Sequence, residues 1–595
     1  MPNLKTNSFR VHVTEQLHES LFEPNGTKYY MFAGRPEAWV NEASPPTPTD
    51  SPVESTFNLY DTMLFGKVVS NTDVSFMVPR HDWVANTVYA KYSDSDALLH
   101  EEEYYVVVNA STQYHIFKCL DNAGGAPSTV QPNRSDTSED DDFYQTSDGY
   151  QWKYLYSVSA SQFQRFATPT WMPVVENANT TANAVAGAID VIEIVNPGTQ
   201  YNSYANGFFT EIAVGGDTTI FGIDVNSSAN TDFYRACALK IVDGQGKGQQ
   251  REIAEYTVQG GFKRVILTDS FVNLPNESSK YEITPNVIVA GDGSDCVARA
   301  IVNPSSNTIA SIEITNRGTG YTYATAEAIG NTGLVISGNV ITANTAQLRP
   351  IMGPTGGHGF NINQELGAVA LGFSVTFANT EQDTIPANGK FRQIGLIKDP
   401  LFANVEFTVA NTVGVFADGE RVSCDTNAYL EGEVSYFSEP SSVLRITEAT
   451  AGWTANTVVR GATSNAVATI ASYRISGAAK SFTTFDQRVR LDTTFNGTPA
   501  FVQGETVRQE VTDATAKVQY SNTTFTAVTS VRGTLNITNV DSGQVLTGEM
   551  GVANVNAIVA GDLLKASGEA LYIENIQPVT RSSELSETIK FIIRF

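Results

Sequence analysis

Apolar and polar residues alternate with a period of two along most of this chain, the pattern of half-buried strands. Phe9, Val11 and Val13 alternate with polar neighbours and predict a strand within 5–20. The unbroken apolar run Tyr29-Tyr30-Met31-Phe32-Ala33 predicts a buried strand. Further strands are predicted at 74–78, 104–108, 114–120, 149–156 and 391–397. Near the end, Ile589, Phe591, Ile593 and Phe595 alternate with Lys590, Ile592 and Arg594. They predict a closing strand in a core sheet that begins at Phe9 and resumes at Phe391. The best helix candidate is 54–66, where Phe57, Tyr60 or Asp61, and Leu64 have helical spacing. SPPTPTDSP (44–52) is too proline-dense for regular structure, because each Pro fixes φ and lacks an N–H.

After about residue 176 aromatic density falls and Ala, Asn, Thr, Gly and Val dominate. Internal repeats appear here. VIEIVNPGTQY (191–201) returns as SIEITNRGTGY (311–321), an offset of 311 minus 191, or 120 residues. Each copy reads as an alternating strand, a Gly-containing turn and a tyrosine. A looser repeat joins FADGERVSCDTNA (416–428), FVQGETVRQEVTDATA (501–516), LTGEMGVANVNA (546–557) and the degenerate TANTVVRGATSNAVATI (454–470). These predict hairpins of a small barrel or sandwich repeated in tandem, with Gly-Glu at the turn into a strand and Ala at a crowded inward position.

Composition supports the β reading. The chain has 595 residues, enough for several domains, with 38 basic and 63 acidic side chains and a net charge of -25. Non-specific nucleic-acid binding needs clustered Lys and Arg and is not expected, whereas a basic partner surface would suit this charge. Cys119, Cys237, Cys296 and Cys424 are scattered without a CxxC pair, as expected of free thiols in a protein assembled in a reducing cytoplasm. The N-terminal residues carry no apolar signal core, and no run of about 18 apolar residues predicts membrane insertion.

Seven segments in series carry a resemblance: MFAGRPEAW (31–39), PPTPTDS (45–51), VPRHDW (78–83), SDGYQWKYLY (147–156), KFRQIGLIKDPL (390–401), GEALYIENIQPV (568–579) and ETIKFIIRF (587–595). In kind and order they resemble the baseplate wedge subunit of T-even-like contractile-tailed phages, the gene-product-eight type. The resemblance covers roughly 1–176, 365–402 and 563–595. It implies a β-rich, two-domain subunit and says nothing of the repeats. Taken as two inserted all-β blocks, the repeats give a mainly β fold with few helices, a discontinuous β-sandwich-like core interrupted twice. The inserted block 177–364 would hold the duplicated strand-turn-tyrosine unit, and 403–562 the tandem repeats. It further implies a structural protein of the virion tail baseplate, assembled in the host cytoplasm. Its partners would be other wedge proteins and a second copy of itself, in a homodimer within each wedge.

Candidate chemistry is sparse. GPTGGHG (353–359) lacks the Gly-Lys-Ser/Thr of a phosphate loop and reads as a Gly-rich turn needing positive φ. His358 within it has no nucleophile and acid beside it in sequence. The acidic run 136–142 lacks the glycine and terminal glutamate of an EF-hand and reads as a solvated loop. His81 and Asp82, adjacent on a strand, point to opposite faces. His12, His18, His81, His100, His115 and His358 show no HxH or HExxH spacing. No catalytic residue, metal or cofactor is therefore expected. Arg and Trp anchor protein interfaces, so Arg35, Trp39, Arg80 and Trp83 are the leading interface candidates, with Arg392 and Arg581 from the other matching segments. The alternative function is an adhesive tail protein that binds host-surface carbohydrate through the inserted blocks. That would need exposed aromatic platforms, and Trp453 is the only Trp in either block.

Overall fold

A computed structural model describes residues 4–23, 26–134, 143–330, 334–336, 339–341, 344–381, 389–476, 480–495, 497–537 and 545–595. The acidic run 136–142 lies outside the described residues. The protein is mainly β, with several sheets, two closed barrels and short helices. It divides into two compact units, residues 1–77 with 368–595 and residues 78–367. The first break thus falls after Met77, inside the segment 1–176 expected to belong to one core.

The first unit is built around a five-stranded sheet in the order Thr484–Asp486, Met63–Val68, Tyr29–Gly34, Lys390–Lys398 and Glu569–Thr580. Every neighbour is antiparallel, and Phe32 lies opposite both Gly66 and Gly395. Successive side chains of a strand point to opposite faces, and Tyr29–Gly34 accordingly serves two cores. Tyr29, Met31 and Ala33 pack with Phe65, Ile394 and Leu396 on residues of a second sheet, which includes Val74–Pro79, Ala370–Phe377 and Glu587–Arg594. Tyr30 and Phe32 pack on the other face with Phe402, Phe407 and Phe485. Cover on both faces is the reason this strand reads as an unbroken apolar run. Gly395 is needed beneath it, because a Cβ there would lie 2.1 Å from the Tyr572 carbonyl oxygen and 2.6 Å from the Phe32 ring.

Three expectations are corrected. Residues 5–20 are not a strand: Asn7–Ser20 is a helix, with the Thr6 hydroxyl accepting from Phe9 N–H at 3.2 Å as its cap. Val11 and Thr14 are buried, and Leu17 and Leu21 continue that face at helical spacing into the core. The helix expected over 54–66 stops early, with a π-helical turn at Val53–Asn58, a short α-helix at Leu59–Thr62 and a strand from Met63. Met63, Leu64 and Phe65 are all buried in that strand. The C-terminal strand pairs with Ala370–Phe377, from Ala370 opposite Arg594 to Phe377 opposite Glu587, and not with the strand that holds Phe391. The neighbour of Phe391 is Glu569–Thr580.

Two six-stranded closed barrels, 405–475 and 489–559, are inserted in this unit. Numbered within each barrel, the strands run 1-4-3-2-5-6 in both. Exchanging strands 1–3 for 4–6 reproduces the same neighbours, so each barrel is a duplicated three-stranded unit. The four loose sequence copies sort accordingly: 416–428 and 501–516 lead into the first hairpins, and 454–470 and 546–557 cover the second ones. Glu420 accepts from the N–H groups of Ala417, Thr463 and Ser464 at 2.7, 3.0 and 2.9 Å. Glu505 accepts from Val502 and Glu549 at 2.7 and 2.8 Å. Each glutamate therefore ties its Gly-Glu turn to the second hairpin. The alanine reading holds only in part, since Ala516 is buried and Ala428 is exposed. Between the barrels Thr484–Asp486 returns to pair with Met63–Val68, so the block 403–562 touches the core sheet in its middle.

The second unit holds a four-stranded sheet of Tyr105–Asn109, Gln113–Asn122, Tyr150–Ser159 and Phe143–Gln145, and two six-stranded sheets. The duplicated strands Ile189–Asn196 and Thr308–Thr319 form the two edges of one six-stranded sheet. Gly198 (φ 63°) follows the first strand and Gly318 (φ 67°) stands at the end of the second, and Tyr201 and Tyr321 are both buried.

The crowding at Gly395 gives a direct test. Gly395→Ala is expected to destabilise the first unit by about 1–3 kcal/mol through overpacking. Gly389→Ala, where a Cβ would meet nothing within 4 Å, is expected to leave the thermal midpoint unchanged. Calorimetry of the two variants checks this.

Candidate functional site

The strand Tyr29–Gly34 ends in a loop whose first residue, Arg35, has a φ of 55°. Its guanidinium lies 3.8 Å over the Trp39 ring. The Trp39 indole N–H donates to the Ile576 carbonyl at 3.0 Å. Arg392, on the strand Lys390–Lys398, donates to both carboxylate oxygens of Glu42 at 2.8–3.0 Å. Those bonds hold the Glu42 carboxyl below its usual range. The Asn575 and Gln577 side chains donate to the carbonyls of Pro46 and Ala43 at 2.8 and 3.2 Å. The proline-dense loop is thereby fastened along Glu569–Thr580.

Beside it lies a cleft of about 490 Å³ lined by Arg35, Glu37, Trp39, Asp61 and Arg532 among others. Asp61 binds Arg532 at 2.8 Å and Lys565 at 2.7 Å. Glu37 accepts from the Ser530 hydroxyl at 2.9 Å. Arg35 Nε and Glu37 Oε2 are buried without a hydrogen-bond partner among the described residues. Buried polar atoms are usually paired, so these two are exceptions, and both are closed off from the surface. Val40, next to Trp39 in the chain, is fully exposed.

Of the six interface candidates, Arg35, Trp39 and Arg392 thus gather around one loop. Trp39 and Arg392 are themselves buried and hold that loop in place. Arg581 is fully buried and donates to the Ala378 carbonyl at 2.7 Å. In the second unit, Arg80 pairs with Asp82 at 3.0 Å and lies 5.1 Å over the Phe163 ring. Trp83 is half-buried and donates to the Ser128 hydroxyl at 3.2 Å. His81 faces Glu103 at 3.5 Å. Trp453, the one tryptophan of the inserted blocks, is wholly buried against Phe407.

The second unit also contains a buried charged cluster that the sequence reading missed. Lys118 lies on Gln113–Asn122, His358 in the glycine-rich turn, and Glu365 on the short helix Ile362–Leu366. Gly356, Gly357 and Gly359 all have positive φ, and a Cβ at Gly357 would approach the Val185 oxygen to 2.4 Å. GPTGGHG is therefore a structural turn. Lys118 Nζ is 2.7 Å from Glu365 Oε1 and 3.0 Å from His358 Nδ1. His358 Nδ1 is 2.9 Å from Glu365 Oε1, and His358 Nε2 is 3.8 Å from Asp190. Burial, then the nearby Lys118 charge, pushes the His358 pKa down. Burial alone would raise that of Glu365, but Lys118 and His358 outweigh it and hold the carboxyl below its usual range. A usable signal existed: Lys118 interrupts the apolar run Ile116-Phe117-Lys118-Cys119-Leu120.

Among the described residues no group of three or more His, Cys, Asp or Glu side chains could hold a metal ion. All four cysteines are unbonded. No protein-family model matches the chain, and no curated protein matches it.

The His358 shift has a sign. Its folded pKa lies below its unfolded one, so the unfolded chain takes up the proton first as pH falls. Stability of the second unit is present above the ordinary histidine range and is lost as pH falls through about 6.5 and below. The protection factors of amides in 113–122, with the intrinsic pH dependence of exchange divided out, are expected to fall from about pH 7 to about pH 5, and to do so less in His358→Gln.

Proposed function

We propose that this chain is a structural subunit of the baseplate wedge of a contractile-tailed phage. One observation carries the reading. MFAGRPEAW, KFRQIGLIKDPL and GEALYIENIQPV, hundreds of residues apart, contribute three adjacent strands of a single sheet. ETIKFIIRF closes the sheet packed on it. Five of the seven resembling segments therefore belong to the first unit, while VPRHDW and SDGYQWKYLY lie in the second. Surfaces built on the first unit would hold neighbouring wedge proteins, and a second copy of the chain, in the pre-contraction lattice. Host attachment would rearrange those interfaces and release the sheath; bistable packed contacts, not bond chemistry, carry such a switch.

The net charge of -25 suits a neighbour with a basic surface. For the carbohydrate-binding alternative, Trp453 is wholly buried and offers no platform, and the exposed aromatics of the inserted blocks are Tyr and Phe, among them Tyr323, Tyr436 and Tyr520.

Immunogold labelling of virions with an antibody to the first barrel is expected to mark the tail tip; label confined to heads or free fibres contradicts the proposal. Val40→Glu, at an exposed apolar position beside Trp39, is expected to cut incorporation into particles by about tenfold without unfolding the chain. Quantifying the protein in particles after complementation checks this.

A further inference from the structure

We propose that Lys118 and Glu365 become joined by an isopeptide bond that the chain forms by itself. The two side chains are 0% and 1% exposed, with Nζ 2.7 Å from Oε1. Nucleophile and carboxyl are thus held in reacting range in a site closed to water. Three further features turn proximity into chemistry. His358 Nδ1 stands 3.0 Å from Lys118 Nζ and 2.9 Å from Glu365 Oε1, where one nitrogen can take a proton from the amine and give it to the departing oxygen. Gly359 N–H donates to Glu365 Oε2 at 2.6 Å, on the oxygen that would gather negative charge. The Tyr92 ring lies 3.6 Å from Nζ, and the Tyr104 hydroxyl donates to the Glu365 carbonyl at 2.7 Å, so both partners are fixed before reaction.

The step balances without a co-reactant. Proton transfer within the buried ion pair gives a neutral amine and a carboxylic acid. Burial favours this neutral pair on both sides, while the Lys118 and His358 contacts hold Glu365 ionised at rest, so the neutral pair is the minor form from which reaction starts. The Nζ lone pair attacks Cδ, and the carbonyl π pair moves onto Oε2 under the Gly359 N–H. His358 Nδ1 removes one Nζ proton and delivers it to the Oε1 hydroxyl. The carbonyl re-forms, the Cδ–Oε1 bond breaks, and one water leaves as one amide forms. The neutral imidazole this requires is the form that burial favours, with Nε2 turned toward Asp190, whose carboxylate is held by Arg317 at 3.0 Å. The bond would tie Gln113–Asn122 to Ile362–Leu366 across a separation of 247 residues and close most of the second unit into a covalent loop.

Intact-mass measurement on the denatured full-length chain tests this. The expected mass is one water below the sequence mass. Proteolysis should then release a branched peptide joining the Lys118 and Glu365 segments, identified by tandem mass spectrometry. Lys118→Met is expected to restore the full sequence mass of that variant, and His358→Ala to leave the linkage slow and incomplete. Should Lys118→Met fail to fold, the wild-type peptides decide alone. Folded wild-type protein at full sequence mass would overturn the proposal. So would a lost water that maps elsewhere while both peptides remain linear.

Discussion

The first unit depends on one ladder: the strand Lys390–Lys398 held between Tyr29–Gly34 and Glu569–Thr580. Its two neighbours come from near the two ends of the chain. Neither face of the sheet is left to water, because Met31, Ile394 and Leu396 fill one core while Tyr30, Phe32 and Ile397 fill another. The close approach at Gly395 lets the Phe32 ring and the Tyr572 backbone share one small space. A long insertion costs little once its ends are held together, since loop-closure entropy grows only slowly with length. Two whole barrels can therefore leave and rejoin this unit without disturbing its register.

The barrels and the charged cluster illustrate two ways of burying polar groups. Glu420 and Glu505 accept backbone N–H groups that a turn would otherwise leave unpaired, and the same solution recurs in both barrels. Lys118, His358 and Glu365 instead satisfy one another in a closed pocket of the second unit. Breaking one member of such a group leaves a charge buried without its partner, the costliest arrangement a protein interior can hold. Arg392 and Glu42 use the same pairing nearer the surface, where it fixes a loop.

How much of this was legible follows from how local each signal is. Tyr29–Gly34, Val74–Pro79, Gln113–Asn122, Tyr150–Ser159 and Lys390–Lys398 declare themselves in the sequence, because both alternation and unbroken apolar runs are local patterns. Phe9, Val11 and Val13 misled because three alternating residues fit a strand while Val11, Thr14, Leu17 and Leu21 fit a helix better, and the Thr6 cap was the deciding sign. Met63 to Phe65 could not be separated from the helix before them, since a short apolar stretch fits either state. The C-terminal strand was recognised but given the wrong neighbour, because pairing is a long-range choice that periodicity does not encode. The candidate site was less legible. Trp39, Arg392 and Arg581 are residue types that anchor interfaces, yet here they brace the chain internally. The Lys118 cluster joins positions 247 residues apart and left only one local trace, a lysine among apolar neighbours.

Native-state hydrogen exchange, resolved peptide by peptide on the intact chain, tests the central claim most directly. If the ladder of three distant strands organises the first unit, amides in Tyr29–Gly34, Lys390–Lys398 and Glu569–Thr580 open together, with one shared free energy that is the highest in that unit. Exchange of Glu569–Thr580 at a much lower free energy, while Tyr29–Gly34 stays protected, would contradict the account.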